Sequence, residues 1–362
     1  MIILGEKMTS IAVLGSHSAL EICEGAAQEG FKTLVLAQRG REKTYLNYLK
    51  RKRGRQEIGV IDEVMLLDKF SDIMQKQGEL LKRKAIIIPH RSFSVYVGHD
   101  NIAKLKVPVF GNRALLKAEE RNVPKNQYFL LHAAGIRIPK QFRRPQEIDR
   151  LAIVKVSEAR RTYERAFFLA NSPEEYEKKK KELLVKGMID EKGISEATIE
   201  EYIVGAQFNF NFFYSPIHEE LELMGIDMRR QTNLDGFLHM PAREQEEARK
   251  YIEIRNIEAG HIACTLRESL LEKVFEIGEK FIHKCREEYA PGIIGPFALQ
   301  AAIPMDEEPV VFDVSFRMPG SPGIKYTPYS RYLFREEMSL GRRIAIEIKE
   351  AMKKKKLNKI LG

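Results

Sequence analysis

The residues best able to do chemistry lie in the last two thirds of the chain. Lys155 lies within an apolar run, and Gln300 and Asp313 lie in two later runs, with Arg317 four residues after Asp313. Amide and carboxylate oxygens are hard ligands of the kind that Mg²⁺ prefers, and lysine and arginine can neutralise the charge of a phosphoryl group. Each residue also has an ordinary explanation, because a strand lysine often only extends its charged end into water and Asp313 could simply pair with Arg317. The occurrence of all four in this order is more informative than any one of them.

Together with the segments around them, these residues resemble the ATP-grasp proteins. The matching segments are Lys155, Glu200–Gly205 (EEYIVG), Gly295–Gln300 (GPFALQ) and Asp313–Arg317 (DVSFR). The resemblance implies ATP and Mg²⁺ as cofactors, with Gln300 and Asp313 as the metal ligands. It also implies that Lys155 and Arg317 are catalytic, since the first would reach the phosphates and the second would stabilise the transferring phosphoryl group. The implied ATP-binding residues are Lys155, Glu200, Glu201, Tyr202, Val204 and Gln231.

Strands and helices alternate over the first hundred residues. Apolar runs predict strands at Ser10–Gly15, Phe31–Leu36, Glu63–Leu67 and Ala85–Ile88. Near-continuous apolar strands that alternate with helices are typical of a parallel, doubly wound sheet. Such sheets bind ligands at the carboxyl ends of their strands, where Ser16–Ser18 and His90–Ser92 follow two of the runs. His17 is therefore an expected site residue, whereas His90 could equally make only a structural hydrogen bond.

After about residue 116 the pattern changes to a mixture of helices and alternating strands. We expect helices over Glu119–Ala134, Ser172–Lys186 and about Glu268–Glu288, a terminal helix, and strands at Ala152–Val156, Ala166–Ala170, Ile199–Val204, Gln207–Tyr214, Glu220–Asp227, Pro296–Ala302 and Val310–Phe316. One of these strands alternates Phe208, Phe210 and Phe212 with Asn209 and Asn211, which predicts a packed face opposite a polar one.

The expected fold class is α/β and α+β, with three domains. A doubly wound parallel sheet would form an N-terminal Rossmann-like (pre-ATP-grasp) domain over residues 1–118. The ATP-grasp module would follow, divided into a small nucleotide-lid subdomain (119–206) and a C-terminal subdomain with the metal site (207–362).

Further segments narrow the resemblance to one archaeal family. They are Leu14–Ser18 (LGSHS), Pro89–Phe93 (PHRSF), Val107–Arg113 (VPVFGNR), Phe213–Pro216 (FYSP), Asn233–Gly236 (NLDG), Leu266–Leu271 (LRESLL) and Gly295–Phe297 (GPF). From about residue 10 to 361 the chain resembles the PurP family, formate-dependent synthetases of formylaminoimidazole carboxamide ribonucleotide in purine (IMP) biosynthesis. The resemblance implies that ATP activates formate as formyl phosphate, which the amine of aminoimidazole carboxamide ribonucleotide then attacks. His17 and Ser92 match the family's contacts with its nucleotide substrate.

The chain departs from this family around the phosphates and the substrate. A glycine-rich lid of the form GARGGxG would follow Lys155, but residues 157–165 read SEARRTYER and contain no glycine. Glycine lets backbone N–H groups approach phosphate oxygens closely, so Arg160, Arg161 and Arg165 would have to supply side-chain charge instead. Other positions also differ from the family. Gln231 stands where the family has an acidic residue, His261 where it has a substrate-contacting asparagine, and Asp313 where it has a glutamate. Arg91 replaces a glycine beside the substrate phosphate, and Pro319–Tyr326 replaces a Gly/Asn-rich loop.

We include Arg91 and His261 in the expected substrate-binding set with His17 and Ser92. The departures leave two alternatives to formylation. The chain could be a paralogue that ligates a different carboxylate and amine, or it could be a catalytically weakened nucleotide-binding protein.

Composition and charge limit the classes of function that remain possible. The chain has 362 residues, 44% hydrophobic and 31% charged, and no apolar run near the ~18 residues of a membrane span. Three widely spaced cysteines give neither a disulfide framework nor a metal-binding pair, which favours a cytoplasmic protein. The net charge of +9 is concentrated in Arg39–Arg55 and the lysine-rich tail, so the rest of the chain is slightly acidic. We expect small-molecule nucleotide and carboxylate substrates and a homo-oligomer, and we do not expect a membrane or a nucleic acid as partner.

Overall fold

The computed structural model describes residues 9–52, 58–121, 123–156, 167–252 and 257–362. The strands in these ranges form three sheets, two of four strands and one of five. The glycine-free segment expected to be the lid, with Arg160, Arg161 and Arg165, lies outside the described residues, as do residues 53–57 of the basic segment.

The first sheet is parallel, as its apolar strands predict. Its strands are β1 (Ser10–Leu14), β2 (Lys32–Gln38), β3 (Glu63–Leu67) and β4 (Ala85–Ile87), in the order β3-β2-β1-β4. The helices that accompany it are α1 (Ala19–Gln28), α2 (Gln77–Lys82), α3 (Arg91–Val97) and α4 (His99–Lys104). Every residue of β1 is buried, because helices and loops cover both faces of the sheet. The loops after β1 and β4 therefore meet at one edge.

The second sheet is small and antiparallel. Its strands are β5 (Gln141–Phe142), β6 (Ala152–Lys155), β7 (Phe167–Ala170) and β8 (Thr198–Glu201), in the order β5-β8-β6-β7. Helices α5 (Arg113–Ala118) and α6 (Gln127–Ala133) lead into it, and α7 (Pro173–Val185) and α8 (Glu191–Ser195) connect β7 to β8. Helix α7 begins as the sequence predicts, because Ser172 Oγ accepts a hydrogen bond from the amide of Glu175.

The third sheet is also antiparallel and forms the centre of the second half. Its strands are β9 (Ala206–Ser215), β10 (Glu220–Gln231), β11 (Glu258–Cys264), β12 (Gly295–Ile303) and β13 (Val310–Ser315), in the order β11-β10-β9-β12-β13. The helices are α9 (Leu234–Leu238), α10 (Ala242–Ala248), α11 (Leu271–Glu288), α12 (Pro328–Phe334) and α13 (Leu340–Lys353). The alternating phenylalanines of β9 pack as predicted, since Phe210 and Phe212 are fully buried in a core shared with α11.

Single turns of 3-10 or π helix complete the secondary structure. They lie at Thr44–Tyr48, Phe70–Met74, Pro145–Glu147, Glu268–Leu270, Pro322–Tyr326 and Leu357–Lys359. Within the described ranges, no helix is both long and apolar enough to cross a membrane.

The helix expected over Glu119–Ala134 is wrong in its first half. Helix α6 starts only at Gln127, because Asn126 accepts hydrogen bonds from the amides of Tyr128 and Phe129 and so caps the helix there. Pro124 also disfavours helical geometry in the residue before it. Glu119 instead follows α5 directly as its C-cap residue, and its carboxylate contacts the residues after β13.

The end of the chain packs back onto the first sheet. Gly25 of α1 and Gly341 of α13 lie at a close helix contact, where a Cβ atom on Gly25 would be 2.0 Å from the backbone nitrogen of Arg342 and one on Gly341 would be 2.1 Å from the carbonyl oxygen of Glu21. Gly362 donates to the carbonyl of Val109 at 2.9 Å. The contact between α1 and α13 thus needs glycine on both sides.

We expect Gly341→Ala to lower the free energy of unfolding by about 2–3 kcal/mol, because the methyl group forces the two backbones apart. Gly78→Ala is the matched control, since Gly78 lies in α2 with no atom near its Cβ position and the replacement should add about 0.5–1 kcal/mol. Urea denaturation of both variants measures the difference, and equal shifts in their midpoints would contradict the proposed contact.

Candidate active site

The carboxyl ends of β1 and β4 bring together three of the residues expected to bind substrate. His17 follows β1, and Arg91 and Ser92 begin α3 after β4. Ser92 Oγ donates to Ser16 Oγ at 3.0 Å, which joins the two loops. The fourth residue, His261, lies on β11 of the third sheet and faces the same region. Its charge and that of Glu258 act on the His17 ring.

Both ring nitrogens of His90 are used in hydrogen bonds within the fold. Its ring is fully buried, with Nε2 2.9 Å from the carbonyl oxygen of Leu14 and Nδ1 accepting from the amide of Ser92 at 3.2 Å. Burial lowers the pKa of His90 to about 4, so the ring is neutral and Nε2 carries the proton that it donates to Leu14. His90 thereby caps α3 and fixes Ser92, which resolves the ambiguity that the sequence left open.

Glu119 connects the carboxyl-end edge of the first sheet to the end of β13. Its Oε2 is 3.4 Å from Arg91 Nη1, and its Oε1 is 3.3 Å from Arg317 Nε and accepts from the amide of Phe316 at 2.7 Å. Burial lowers the pKa of Arg317, and the Glu119 carboxylate opposes this shift. Sequence reasoning missed Glu119, because Phe316 and Arg317, which it joins to Arg91, lie almost 200 residues away in the chain.

The expected metal ligands lie next to each other on β12 and β13. Gln300 and Asp313 are register partners, and Gln300 Nε2 donates to Asp313 Oδ2 at 3.1 Å. Arg121, which sequence reasoning missed, donates from Nη2 to the other carboxylate oxygen at 3.3 Å. Burial lowers the pKa of Arg121 and the Asp313 charge raises it, with a net rise. No group of three or more His, Cys, Asp and Glu side chains that could hold a metal ion occurs in the described ranges.

Lys155 lies in a buried cluster beneath the second sheet. Its Nζ forms an ion pair with Glu200 Oε1 and donates to the hydroxyl of Tyr128 at 3.2 Å. That hydroxyl donates to Glu200 Oε2 at 2.5 Å. Burial lowers the pKa of Lys155, and burial beside Glu200 raises that of Tyr128, so the phenol holds its proton. Tyr128 was not predicted, since only the folded chain brings α6 beneath β6 and β8.

The other expected ATP residues are more exposed. Glu201 ends β8 and pairs with Arg150 at 3.3 Å, while the amide of Tyr202 donates to the carbonyl of Leu151 at 2.9 Å. Val204 is 74% exposed in the connection between the second and third sheets. Gln231 ends β10, where its amide donates to the Asp235 carboxylate. Their contacts with a nucleotide stay predictions.

A row of polar side chains crosses one face of the third sheet. Asp313, Gln300, Asn209 and Asp227 are successive register partners on β13, β12, β9 and β10. Asn209 and Asn211 each donate to Asp227 at 2.7 Å, so the polar face predicted for β9 exists and is buried. The row joins the candidate metal ligands to the region of His261.

His261 is held between two carboxylates. Its Nδ1 is 2.5 Å from Asp227 Oδ2 and its Nε2 is 3.0 Å from Glu258 Oε1. Burial lowers the pKa of His261, but the hydrogen bonds to Asp227 and Glu258 outweigh it and raise the pKa to about 9. The imidazole is therefore a cation at neutral pH, with both N–H groups donated to protein.

The sheet order is that of the ATP-grasp fold class. The structure aligns with the "ADP complex of purK: N5-carboxyaminoimidazole ribonucleotide synthetase" at a TM-score of 0.58, covering 92% of this chain and 79% of that one. The sequence identity is 11%, so this likeness concerns the fold alone. It agrees with the fold class expected from the sequence.

The particular family follows from closer relatives. Residues 11–142 match "Protein of unknown function (DUF1246)" and residues 175–362 match "Domain of unknown function (DUF1297)". The chain is 40% identical over 349 residues to the 5-formaminoimidazole-4-carboxamide-1-(beta)-D-ribofuranosyl 5'-monophosphate synthetase of Methanopyrus kandleri, covering 95% of this chain and 92% of that protein. It is 39% identical to the synthetase of the same name from Methanocaldococcus jannaschii, covering 98% and 95%.

A solved structure agrees with these relatives. The "IMP biosynthesis protein PurP from Thermococcus kodakaraensis" aligns at a TM-score of 0.72 with 29% identity, covering 97% of this chain and 100% of that one. The chain belongs to the PurP family of synthetases, as its sequence motifs predicted.

The ion pairs of His261 predict a pH-dependent stability. Because its pKa rises from 6.5 unfolded to about 9 folded, the stabilisation is complete below pH 6.5 and is lost as the pH rises through 9. That rise corresponds to about 3 kcal/mol. We expect the advantage of wild type over His261→Gln to shrink by about this amount between pH 6 and pH 10, measured by denaturant unfolding. His283→Gln, on the exposed face of α11, should show no such trend; a constant difference for His261→Gln would refute the assignment.

Proposed function

We propose that this chain is an ATP-dependent C–N ligase that formylates aminoimidazole carboxamide ribonucleotide with formate in purine (IMP) biosynthesis. The observation that carries the proposal is the position of Arg317. It follows the strand that contains Asp313, and Glu119 links it to Arg91 at the substrate edge of the first sheet. A phosphoryl group held near Asp313 and a substrate held near His17 and Ser92 would therefore meet beside one buried arginine. The names of the curated relatives support the same reaction.

We assign the phosphates of ATP to Lys155 and Arg121. Both cations are ordered in advance by carboxylates, Lys155 by Glu200 and Arg121 by Asp313. Glu200, Glu201, Tyr202, Val204 and Gln231 are the proposed neighbours of the nucleoside. Charges that are fixed before ATP binds need little rearrangement when the negative charge of the phosphates arrives.

The donor set on β12 and β13 fits Mg²⁺. An amide oxygen of Gln300 and a carboxylate of Asp313 are hard ligands, and a Mg²⁺ site of this kind is normally completed by water and substrate phosphates. The ion would supply charge neutralisation at the phosphates of ATP. Arg121, which donates to Asp313 at 3.3 Å, would lie beside the same phosphates and add positive charge there.

The proposed reaction has two steps. A formate oxygen attacks the terminal phosphorus of ATP, ADP leaves, and Arg317 balances the charge of the phosphoryl group during transfer. The amine of the ribonucleotide then attacks the formyl carbon and phosphate leaves. Arg91, His17, Ser92 and His261 are the proposed contacts of the ribonucleotide.

We also propose how the three domains divide the substrates. Residues 1–118 would hold the ribonucleotide, 119–206 would cover ATP and 207–362 would carry the metal ligands. We also propose that the protein is cytoplasmic and forms a homo-oligomer. Light scattering of the purified protein would test its oligomeric state.

The direct test supplies ATP, Mg²⁺, formate and aminoimidazole carboxamide ribonucleotide to the purified chain. We expect ADP, phosphate and formylated ribonucleotide in equal amounts. Formate is then replaced by acetate or glycine and the ribonucleotide by other amines. Turnover with another pair, and none with formate, would favour the paralogue; ATP binding without ADP release would favour the weakened nucleotide-binding protein.

Two substitutions test the proposed metal and phosphate contacts. Asp313→Asn removes charge from the proposed metal site, and Lys155→Met removes the proposed phosphate contact, so each should lower kcat at least about 100-fold. Asp306→Asn is the matched control, because Asp306 is an exposed partner of Arg137, and its kcat should match wild type. Near-normal kcat for Asp313→Asn would contradict the metal assignment.

A further inference from the structure

His17 is held in one orientation by several independent contacts. Its backbone is left-handed, with a φ of 49° that a non-glycine residue seldom adopts. One face of the ring stacks on His90, which is itself fixed by hydrogen bonds on both nitrogens. On another side, Gly320 approaches so closely that a Cβ there would be 2.8 Å from Cε1 and 3.0 Å from Nε2 of His17. The fold therefore fixes the orientation of the His17 imidazole ring.

The hydrogen bonds of Ser18 determine where the proton of His17 lies. Ser18 Oγ donates its single proton to the carbonyl oxygen of Pro319 at 2.5 Å, since a carbonyl can only accept. The same Oγ is 2.7 Å from His17 Nδ1, so it must accept there, and Nδ1 carries the proton. Ser18 does not use its side chain to cap α1, although it occupies the capping position. The neutral ring consequently has its lone pair on Nε2.

Burial and the charge of Arg317 keep the His17 ring neutral. The groups that act on it are His90 from the loop after β4, Arg317 from the segment after β13, and Glu258 and His261 from β11. Burial first and the charge of Arg317 second lower the pKa of His17 to about 3. Among the described residues, no protein donor is hydrogen-bonded to Nε2.

We propose that Nε2 of His17 accepts the proton of the attacking amine, and that Ser18 and the Pro319 carbonyl are the pair that positions it. This inference rests on the proposed function. The amine nitrogen forms a bond to the formyl carbon, the bond from that carbon to the phosphate oxygen breaks, and phosphate leaves with the electron pair. The proton released from nitrogen goes to Nε2 and then to water. A weak base suffices, because an amine that has bonded to an acyl carbon is a strong acid.

The test separates activation of formate from transfer to the amine. Hydroxylamine traps formyl phosphate as formohydroxamate and needs no protein base. We expect His17→Gln to keep formohydroxamate and ADP formation within twofold of wild type. Its kcat for formylation of the ribonucleotide should fall at least about 100-fold, with KM changed less than about threefold.

The positioning role of Ser18 has its own readout. Ser18→Ala frees the ring to place its proton on Nε2, so kcat for formylation should fall about tenfold while formohydroxamate formation is kept. Ser18→Thr retains the hydroxyl and should restore kcat. His283→Gln is the matched surface control and should alter neither reaction.

Three results would overturn the inference. Equal loss of both reactions in His17→Gln would mean that His17 serves the whole site, and a change in KM alone would mean that it only binds substrate. A normal kcat in Ser18→Ala would remove the positioning pair. Failure of wild type to form formohydroxamate from ATP, formate and hydroxylamine would instead refute the proposed function, on which the inference depends.

Discussion

The candidate site depends on the close contact between α1 and α13. Only glycine fits at both Gly25 and Gly341, and the contact fastens the second half of the chain against the first sheet. Helix α1 begins at Ala19, directly after Ser18, and its residues Glu21 and Gly25 contact α13 within the first two turns. The segment after β13 is thereby brought within hydrogen-bond distance of the loop after β1, through Ser18 and Pro319. The segment after β13 is also joined to the loop after β4, because the amide of Met318 donates to the carbonyl of Pro89 at 3.2 Å and Glu119 contacts both Arg91 and Arg317.

Paired charges are the second recurring feature of the site. Lys155 has Glu200, Arg121 has Asp313, and Glu119 lies between Arg91 and Arg317. A partly buried cation without a partner would be costly, and these carboxylates remove much of that cost before any ligand binds. They also hold long side chains in one direction, which a flexible lysine or arginine loses in water. The arrangement suits the proposed reaction, whose three substrates, ATP, formate and a ribonucleotide monophosphate, are all anions.

Much of this could be predicted from local sequence, and the rest could not for a physical reason. The apolar runs predicted the parallel sheet, and the carboxyl-end rule predicted that His17 and Ser92 would lie close together. Glu119 was instead placed within a helix, because the residues that hold it, Phe316 and Arg317, are distant in sequence. Tyr128 and Arg121 were missed for the same reason: nothing in their spacing indicates that they contact Lys155 and Asp313. Family resemblance supplied residue roles that the pattern of single residues does not contain.

The polar row on the third sheet has a consequence for how the two halves of the site are spaced. Neighbouring strands lie about 4.8 Å apart, so the ladder hydrogen bonds act as a ruler between Asp313 and Asp227. A slip of one residue in the pairing of β9 would turn Asn209 and Asn211 to the opposite face and bury Phe210 among charges. The register of this central strand therefore determines both the packed core of this half of the molecule and which polar side chains lie between Asp313 and Asp227.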